Sequence, residues 1–340
     1  MTSALPLPRG LEGRFYADSA IFAAERERIF RSAWQLVGHD SAFGAAGSTR
    51  PIDIAGASVF VVRGEDGALR AFRNVCRHRG ASLVAEDRPA GCAPIACPSH
   101  GWRYGLDGQL LQTPWFGEES PFDLPALSLI PVEIGLWRAL VFVALEPREP
   151  LLEQLGEMPA YFADIPLERM IEYDRATFVE AFNWKAYIDQ FTDYYHSPAV
   201  HGSDERVGID RFTADPIRRG MIMRAPDSLA FYGAQWVWTW PNLTIATFEG
   251  GVKISRIVPL TAGTSEVRFL FLADPLAAVE LSALQRIVDA TLGIFAEDAA
   301  LLRQLQRNLE SGSFEEPGPL HPRHERATAY FQQLVREALA

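Results

Sequence analysis

The sequence predicts an α+β protein in which a small β domain precedes a larger domain of antiparallel sheet and helices. Runs of strand-forming residues recur over 48–75 and 221–273, and the longest helical patterns come near the end, over about 277–309 and 324–339. A cluster of prolines and charges at 146–150 separates the halves. The expected domains are an N-terminal helical segment over 1–40 that packs on the second domain, a β domain over 41–150 and the second domain over 151–340.

Composition limits the classes of partner. The 340 residues carry a net charge of -11 with no run of lysine and arginine, so neither nucleic acid nor an anionic membrane is expected as a partner. The first ten residues lack the pattern of a signal peptide, and the most apolar stretch, 136–145, is too short to span a bilayer. Three cysteines, Cys76, Cys92 and Cys97, make no disulfide framework, and a reducing cytoplasm is expected.

The N-terminal half begins with predicted helices and continues with predicted strands. Residues 11–38 are expected to form helical segments that end on the apolar run 34–37. Strands are predicted over 57–62 and 69–72, joined by a turn at 64–67. Such a hairpin commonly presents ligands at its tip.

Two pairs of cysteine and histidine follow the hairpin. Cys76 and His78 are separated by one residue, and Cys97 and His100 by two, with 18 residues between the pairs. The pairs would suit one tetrahedral Zn²⁺, or a [2Fe–2S] centre with thiolates on one iron and imidazoles on the other. Ordinary core residues are the third interpretation. Cys92 has no histidine three residues on, which favours a loop or core thiol.

A second possible metal site lies in the stretch 189–201. If this stretch begins as a helix, Asp189, Asp193 and His196 fall at i, i+4 and i+7 and share one face. His201 would then lie about 140° round the helix from His196. Pro198 between the histidines is expected to break the helix. The break would let the two histidines converge on a metal.

Asp298 is the candidate for a third, carboxylate ligand. Its helical neighbours three and four residues away are all apolar, namely Ile294, Phe295, Leu301 and Leu302. Glu297 has Gly293 and Ala300 as corresponding neighbours and is expected to be more peripheral. A buried carboxylate is costly unless it is paired or binds a metal. Two histidines and Asp298 would form the triad of non-haem Fe(II) oxygenases, and a pair with a buried arginine is the alternative.

These motifs together resemble the Rieske non-haem iron oxygenase α subunits over almost the whole chain. The resemblance rests on the two Cys–His loops with Gly101-Trp102, on Asn183-Trp184-Lys185, on the stretch 193–201 and on Glu297-Asp298. It implies a Rieske domain and a helix-grip catalytic domain. It assigns Cys76 and Cys97 to one iron of a [2Fe–2S] cluster, His78 and His100 to the other, and His196, His201 and Asp298 to mononuclear Fe(II). The chain departs from the family in its slightly longer 18-residue gap and in Asp189-Gln190, where many members have Glu-Asn.

The resemblance also implies a terminal oxygenase that works with O₂ and a separate NAD(P)H-dependent reductase or ferredoxin. The chain itself has no Gly-x-Gly-x-x-Gly after a strand, so the reductase must be another polypeptide. The family forms head-to-tail trimers, in which Asp193 would bridge His196 and His100 of the next subunit. Independently, an acid one turn before His196 can accept the ring N–H and orient the ligand. A solvated helix charge is the alternative for Asp193.

Three tryptophans bear on the substrate. Trp236, Trp238 and Trp240 alternate along one predicted strand, where they would form either core or an aromatic wall for a planar ring or a quaternary ammonium group. The chain looks most similar to the betaine and choline branch, which hydroxylates or demethylates methylammonium compounds, in residues 240–242, in the spacing from Asn183 to His196 and in 318–320 with Glu325 and Phe331. Aromatic-ring hydroxylation is the second expectation. An electron-transfer module and a zinc-binding protein are the non-enzymatic alternatives.

Overall fold

The chain folds into two compact units that are both built on antiparallel sheet. The computed structural model describes residues 8–91, 94–116, 123, 125–202, 209–225, 235–314 and 316–340, so Cys92 lies outside the described residues. The small unit is Phe30–Leu151, and the large unit joins the residues up to Ile29 with Leu152–Ala340. The predicted α+β class is confirmed.

The small unit is a β domain. Its strands are β1 (Gln35–His39), β2 (Thr49–Ile54), β3 (Ala57–Arg63), β4 (Leu69–Arg73), β5 (Ile95–Ala96), β6 (Arg103–Tyr104), β7 (Leu110–Gln112), β8 (Pro131–Trp137) and β9 (Leu140–Ala144). Six form a sheet in the order β1-β9-β8-β4-β3-β2, and β5-β6-β7 form a second sheet. Val59 and Val61 of β3 face one apolar core, while Phe60 and Val62 face the core that contains Cys76. Burial on both faces explains the unbroken apolar run in β3.

The N-terminal residues differ from the prediction of helix throughout 11–38. Helices α1 (Arg14–Ala17) and α2 (Ser19–Glu25) form, but three of the four residues of the run 34–37 belong to strand β1, which begins at Gln35. Strand β1 pairs antiparallel with β9, a partner about a hundred residues away, so tertiary pairing overrides the local pattern. Residues 30–40 therefore group with the small unit rather than with the N-terminal helices.

The large unit contains a seven-stranded sheet with helices against it. Besides α1 and α2, its described α-helices are α3 (Leu151–Leu155), α4 (Met158–Tyr161), α5 (Trp184–Thr192), α6 (Ser197–Val200), α7 (Leu281–Glu310) and α8 (Arg326–Leu339). Its strands are β10 (Ile171–Glu180), β11 (Thr213–Ile217), β12 (Gly220–Arg224), β13 (Gln235–Thr239), β14 (Leu243–Phe248), β15 (Gly251–Thr261) and β16 (Thr264–Ala273), in the order β10-β16-β15-β14-β13-β12-β11. Helix α5 packs against β15, α7 and α8. None of the described helices is long and apolar enough to cross a bilayer.

Buried polar contacts fix the start of α5. The side chain of Asn183 accepts from Lys185 N at 2.8 Å and so caps the helix, while its amide donates to Ala262 O at 2.6 Å. Lys185 forms an ion pair with Glu25 of α2, and both side chains are fully buried. Trp184 Nε1 also donates to Glu25, at 2.9 Å. The motif Asn183-Trp184-Lys185 therefore attaches α5 to the N-terminal helices.

The end of α5 differs from the predicted break between the histidines. The helix ends at Thr192, and Asp193 is its extended C-cap, so Asp193 does not continue the helical face of Asp189. Pro198 lies in the first turn of α6, where a proline is tolerated because it lacks only an unused N–H. His196 and His201 are the N-cap and C-cap of this short helix. One turn of helix thus brings the two rings together.

Candidate metal centres

The two Cys–His loops of the small unit close in the same way. Gly80 N donates to Cys76 O at 3.0 Å, and Gly101 N donates to Cys97 O at 3.1 Å, so each cysteine is followed four residues later by the glycine that closes its turn. Both glycines have φ near +75°, at 80° and 71°, where residues with a Cβ are disfavoured. The second loop is the tip of the β5–β6 hairpin, whereas the first follows β4.

The four donor residues of these loops lie together. Cys76 and Cys97 are each 3% exposed, and burial raises the pKa of the Cys97 thiol. The rings of His78 and His100 are 4.6 Å apart, and Trp102 stacks on His78 at 4.9 Å. His78 Nδ1 is buried and has no hydrogen-bond partner among the described residues, whereas His100 Nδ1 lies 2.9 Å from Ser99 Oγ. Two buried thiols beside a buried, unpaired imidazole nitrogen fit a metal cluster with mixed sulfur and nitrogen ligands.

Three donor atoms form a tight triangle in the large unit. His196 Nε2 and His201 Nε2 are 3.2 Å apart, and Asp298 Oδ1 lies 3.7 Å from the first and 3.3 Å from the second. Metal bonds of about 2.1 Å hold neighbouring ligand atoms about 3 Å apart, so the triangle fits one ion. Each of the three side chains is about 15% exposed. The hydrogen bond with Asp298 raises the pKa of His201, and burial of the ring opposes that change.

A second layer of polar side chains orients this triangle. Asp193 Oδ2 is 3.2 Å from His196 Nδ1, and Glu297 Oε2 is 2.8 Å from His201 Nδ1. Each carboxylate therefore contacts the ring nitrogen that faces away from the triangle, an arrangement that orients metal-binding histidines. Gln190 Nε2 donates to Asp298 Oδ1 at 2.8 Å. Glu297 is half exposed, as predicted, but its contact with His201 was missed, because helical periodicity reports burial and not contacts between helices.

Asp189 does not join the metal site. It accepts from Tyr16 Oη at 2.5 Å and from Gln332 Nε2 at 2.9 Å, and so connects α5 to the residues of α1 and α8. Burial raises the pKa of Asp189 to about 7, although these two hydrogen bonds favour the charged form. Its place in the sequence pattern, four residues before Asp193, had suggested a shared face with the site.

The three tryptophans separate into two environments. Trp238 and Trp240 are buried against Phe331 of α8, with ring centroids at 5.3 and 6.3 Å, and are core residues. Trp236 is only partly buried and contacts Tyr194 at 5.6 Å, two residues before His196. Only Trp236 therefore lies close to the histidine-bearing segment.

Comparison with known proteins identifies the class to which this fold and these two donor sets belong. The protein-family model for the Rieske [2Fe-2S] domain matches residues 33–127 of this chain. The family model for the catalytic domain of the ring hydroxylating alpha subunit matches residues 214–340. Proteins of this class carry a [2Fe–2S] cluster and a mononuclear iron.

Individual relatives cover most or part of the chain. The oxygenase subunit of carnitine monooxygenase from Escherichia coli (strain K12) is 27% identical over 330 residues, which cover 91% of this chain and 86% of the relative. The oxygenase subunit of glycine betaine monooxygenase from Chromohalobacter salexigens is 34% identical over 190 residues, covering 55% and 42%. The crystal structure of a quaternary ammonium Rieske monooxygenase in complex with L-carnitine shares the fold, with a TM-score of 0.87, 23% identity and coverage of 98% and 96%.

The chain belongs to the Rieske non-haem iron oxygenases, as an α (oxygenase) subunit. It is an enzyme, the terminal oxygenase of its system. The predicted family, fold class and pair of cofactors are confirmed by these matches. The roles of the individual site residues stay predictions.

Proposed function

We propose that this terminal oxygenase is a monooxygenase that hydroxylates or oxidatively demethylates a quaternary ammonium compound. It would use O₂ and electrons from a separate NAD(P)H-dependent reductase or ferredoxin. The observation that carries the proposal is the triangle of His196, His201 and Asp298 in a chain that also holds the two Cys–His loops. The carnitine and glycine betaine named in its relatives support the substrate class.

In this proposal the loops of the small unit hold the cluster. Cys76 and Cys97 bind one iron, and His78 and His100 bind the other. The burial of both thiols and the unpaired Nδ1 of His78 support this assignment. Imidazole ligands in place of two thiolates raise the reduction potential of such a cluster.

The triangle of the large unit holds the mononuclear Fe(II). Two histidines and one carboxylate would hold the ion and would leave coordination positions for O₂. When bound, the iron supplies one-electron chemistry toward O₂, and the cluster supplies the further electron. Gln190 keeps one oxygen of Asp298 oriented, and Asp193 and Glu297 orient the two rings.

The electron path in this proposal crosses between subunits of a head-to-tail homotrimer. Asp193 accepts the Nδ1–H of His196 and bridges to His100 of the next subunit. The exposure of His100 at the surface of its unit supports this role, because a group that meets another chain must be accessible in a single chain. A structural relative described in terms of inter-subunit electron transfer supports it as well.

Metal and sulfide analysis with EPR of the reduced protein tests the cofactor assignment. About three irons and two acid-labile sulfides per chain are expected. The Asp298→Ala variant is expected to retain about two irons and the cluster signal, whereas Asp289→Asn on the exposed part of α7 retains all three. A colourless, sulfide-free protein containing zinc would contradict the oxygenase assignment.

Turnover with a surrogate reductase tests the substrate class. Glycine betaine, L-carnitine and choline are offered as quaternary ammonium compounds, and naphthalene as an aromatic hydrocarbon. Formation of formaldehyde or a hydroxylated product from at least one ammonium compound is expected. Oxidation of naphthalene alone would replace the proposed substrate class with aromatic-ring hydroxylation.

A further inference from the structure

Lysine is almost absent from this chain, and both lysines are buried. Of the 32 basic residues, only Lys185 and Lys253 are lysines, and the remainder are arginines. Lys185 is 0% exposed and forms the ion pair with Glu25 that anchors α5. Lys253 is 4% exposed. A buried ammonium is a cation in an apolar setting, and it is a strong hydrogen-bond donor there.

Lys253 lies between the sheet and the helices that carry the metal-site residues. Its Nζ is 5.4 Å from the ring of Phe191 on α5 and 5.6 Å from the ring of Phe269 on β16. Phe269 in turn contacts Phe295, at 5.1 Å, one turn before Asp298 on α7. Burial lowers the pKa of Lys253 to about 8, and the charge of Asp298 opposes that change, so the side chain is largely cationic at neutral pH.

Trp236 and Lys253 share one row across the inner face of the sheet. Trp236 pairs directly with Ala246, and Ala246 pairs directly with Lys253, so the three side chains point to the same face. Two strand spacings place Trp236 and Lys253 about 10 Å apart, and Ala246 is the residue between them in the row. Above the row, Tyr194 contacts Trp236. The row thus has an aromatic ring at one end and a cation at the other.

We propose that this row binds a zwitterionic substrate end to end, with the trimethylammonium group at Trp236 and the carboxylate at Lys253. An aromatic ring attracts a quaternary ammonium group through its π face, and a buried carboxylate requires a cation or several hydrogen-bond donors. Compounds in which one to three carbons separate the two groups fit within this span. The inference rests on the proposed function and narrows it to carboxylate-bearing ammonium compounds, in preference to choline.

Calorimetric titration of the iron-loaded oxygenase with glycine betaine, L-carnitine and choline tests the inference. The Lys253→Met variant is expected to bind glycine betaine and L-carnitine with a Kd about 10- to 100-fold higher, because it lacks the charged hydrogen-bond donor. Choline binding should stay within twofold, and Lys253→Arg should recover most of the zwitterion affinity. Arg256→Met, on the opposite face of β15, is the matched control and leaves all three affinities unchanged.

The outcomes separate this inference from the proposed function. Equal affinities of wild type and Lys253→Met for both zwitterions would overturn the role of Lys253, and so would an equal loss for choline. If wild type binds choline but neither zwitterion, the proposed function stands and the inference fails. If it binds none of the three compounds, both fail.

Amine labelling provides a test that needs no variant. Reductive methylation followed by peptide mass spectrometry reports on Lys185, Lys253 and the N-terminal amine separately. Saturating L-carnitine is expected to slow methylation of Lys253 at least fivefold and to leave the other two amines unaffected, whereas choline protects none. Unchanged labelling of Lys253 in the presence of L-carnitine would overturn the proposal.

Discussion

At the scale of single residues, each histidine of the triangle formed by His196, His201 and Asp298 is oriented by a carboxylate on its outer ring nitrogen. Asp193 contacts Nδ1 of His196, and Glu297 contacts Nδ1 of His201. A carboxylate on that nitrogen fixes the proton there and leaves Nε2 as the lone-pair donor. Asp193 also accepts from Tyr195 N at 2.5 Å, which fixes the carboxylate after the end of α5.

The Asp193→Asn variant tests whether this residue orients the ring and conducts electrons rather than binding metal. We expect iron content to stay unchanged, because the three ligands are intact, and product formation to fall at least about tenfold. Iron analysis and product formation with a surrogate reductase are measured in parallel. Asp289→Asn serves as the control for loss of an acidic side chain elsewhere. Full activity in Asp193→Asn would exclude the proposed role.

At the scale of elements, α5 is connected by buried polar groups to segments from both ends of the chain. Its first turn binds Glu25 through Trp184 and Lys185. Its second turn binds Tyr16 and α8 through Asp189. These contacts set the position of the residues that follow α5, including both histidines of the triangle. The buried acid also makes stability depend on pH.

Asp189→Asn tests that dependence. The pKa of Asp189 is raised by burial to about 7 in the folded protein, against 3.8 as its ordinary value, so the folded state holds the proton more tightly. Stability from this group is therefore present below about pH 4 and is lost as pH rises towards 7. The free energy of unfolding of the wild type, measured on metal-free protein by urea titration, should fall more steeply between pH 4 and 7 than that of Asp189→Asn. Parallel profiles would contradict the assignment.

At the scale of the whole molecule, each donor set lies within a single unit. The cysteines and the histidines of the first set come from loops of Phe30–Leu151, and the triangle of His196, His201 and Asp298 comes from the large unit. Oxidation of the substrate requires electrons from the first centre at the second. In the proposed trimer that transfer takes place between chains.

Mixed oligomers distinguish transfer between chains from transfer within one. Asp298→Ala lacks the mononuclear iron site, and Cys76→Ser lacks the cluster site, so each homo-oligomer is expected to be inactive. Co-expressed with different affinity tags, a mixed trimer contains one intact cluster facing one intact iron site, and activity of about a third of wild type is expected. Two separately purified variants that are mixed without subunit exchange are the control. EPR of the mixed trimer verifies that the cluster is present. An inactive mixed trimer that shows the cluster signal would contradict electron transfer between chains.

Features of the fold and of the candidate sites were predictable from the sequence where they depend on residues close together in the chain. The Cys–His spacings, the strand-forming runs over 221–273 and the two C-terminal helices depend on neighbours close in the chain, and their patterns predicted them. Asp298 emerged as a candidate because helical periodicity alone placed it beside apolar residues. Strand β1 was mistaken for helix because the short run 34–37 fits the period of either structure, and its pairing with the distant β9 decides between them.

By itself the sequence determined the α+β class, the family, both cofactors and the residues proposed to bind them. Only the tertiary structure decided that Asp189 accepts a hydrogen bond from Tyr16 and lies outside the metal site, and that Glu297 contacts His201. It also decided that Trp236, and neither Trp238 nor Trp240, shares a row with Lys253. The physical reason is that ligand types and spacings are local chemical properties, whereas these contacts join side chains from distant segments, whose packing no local pattern specifies.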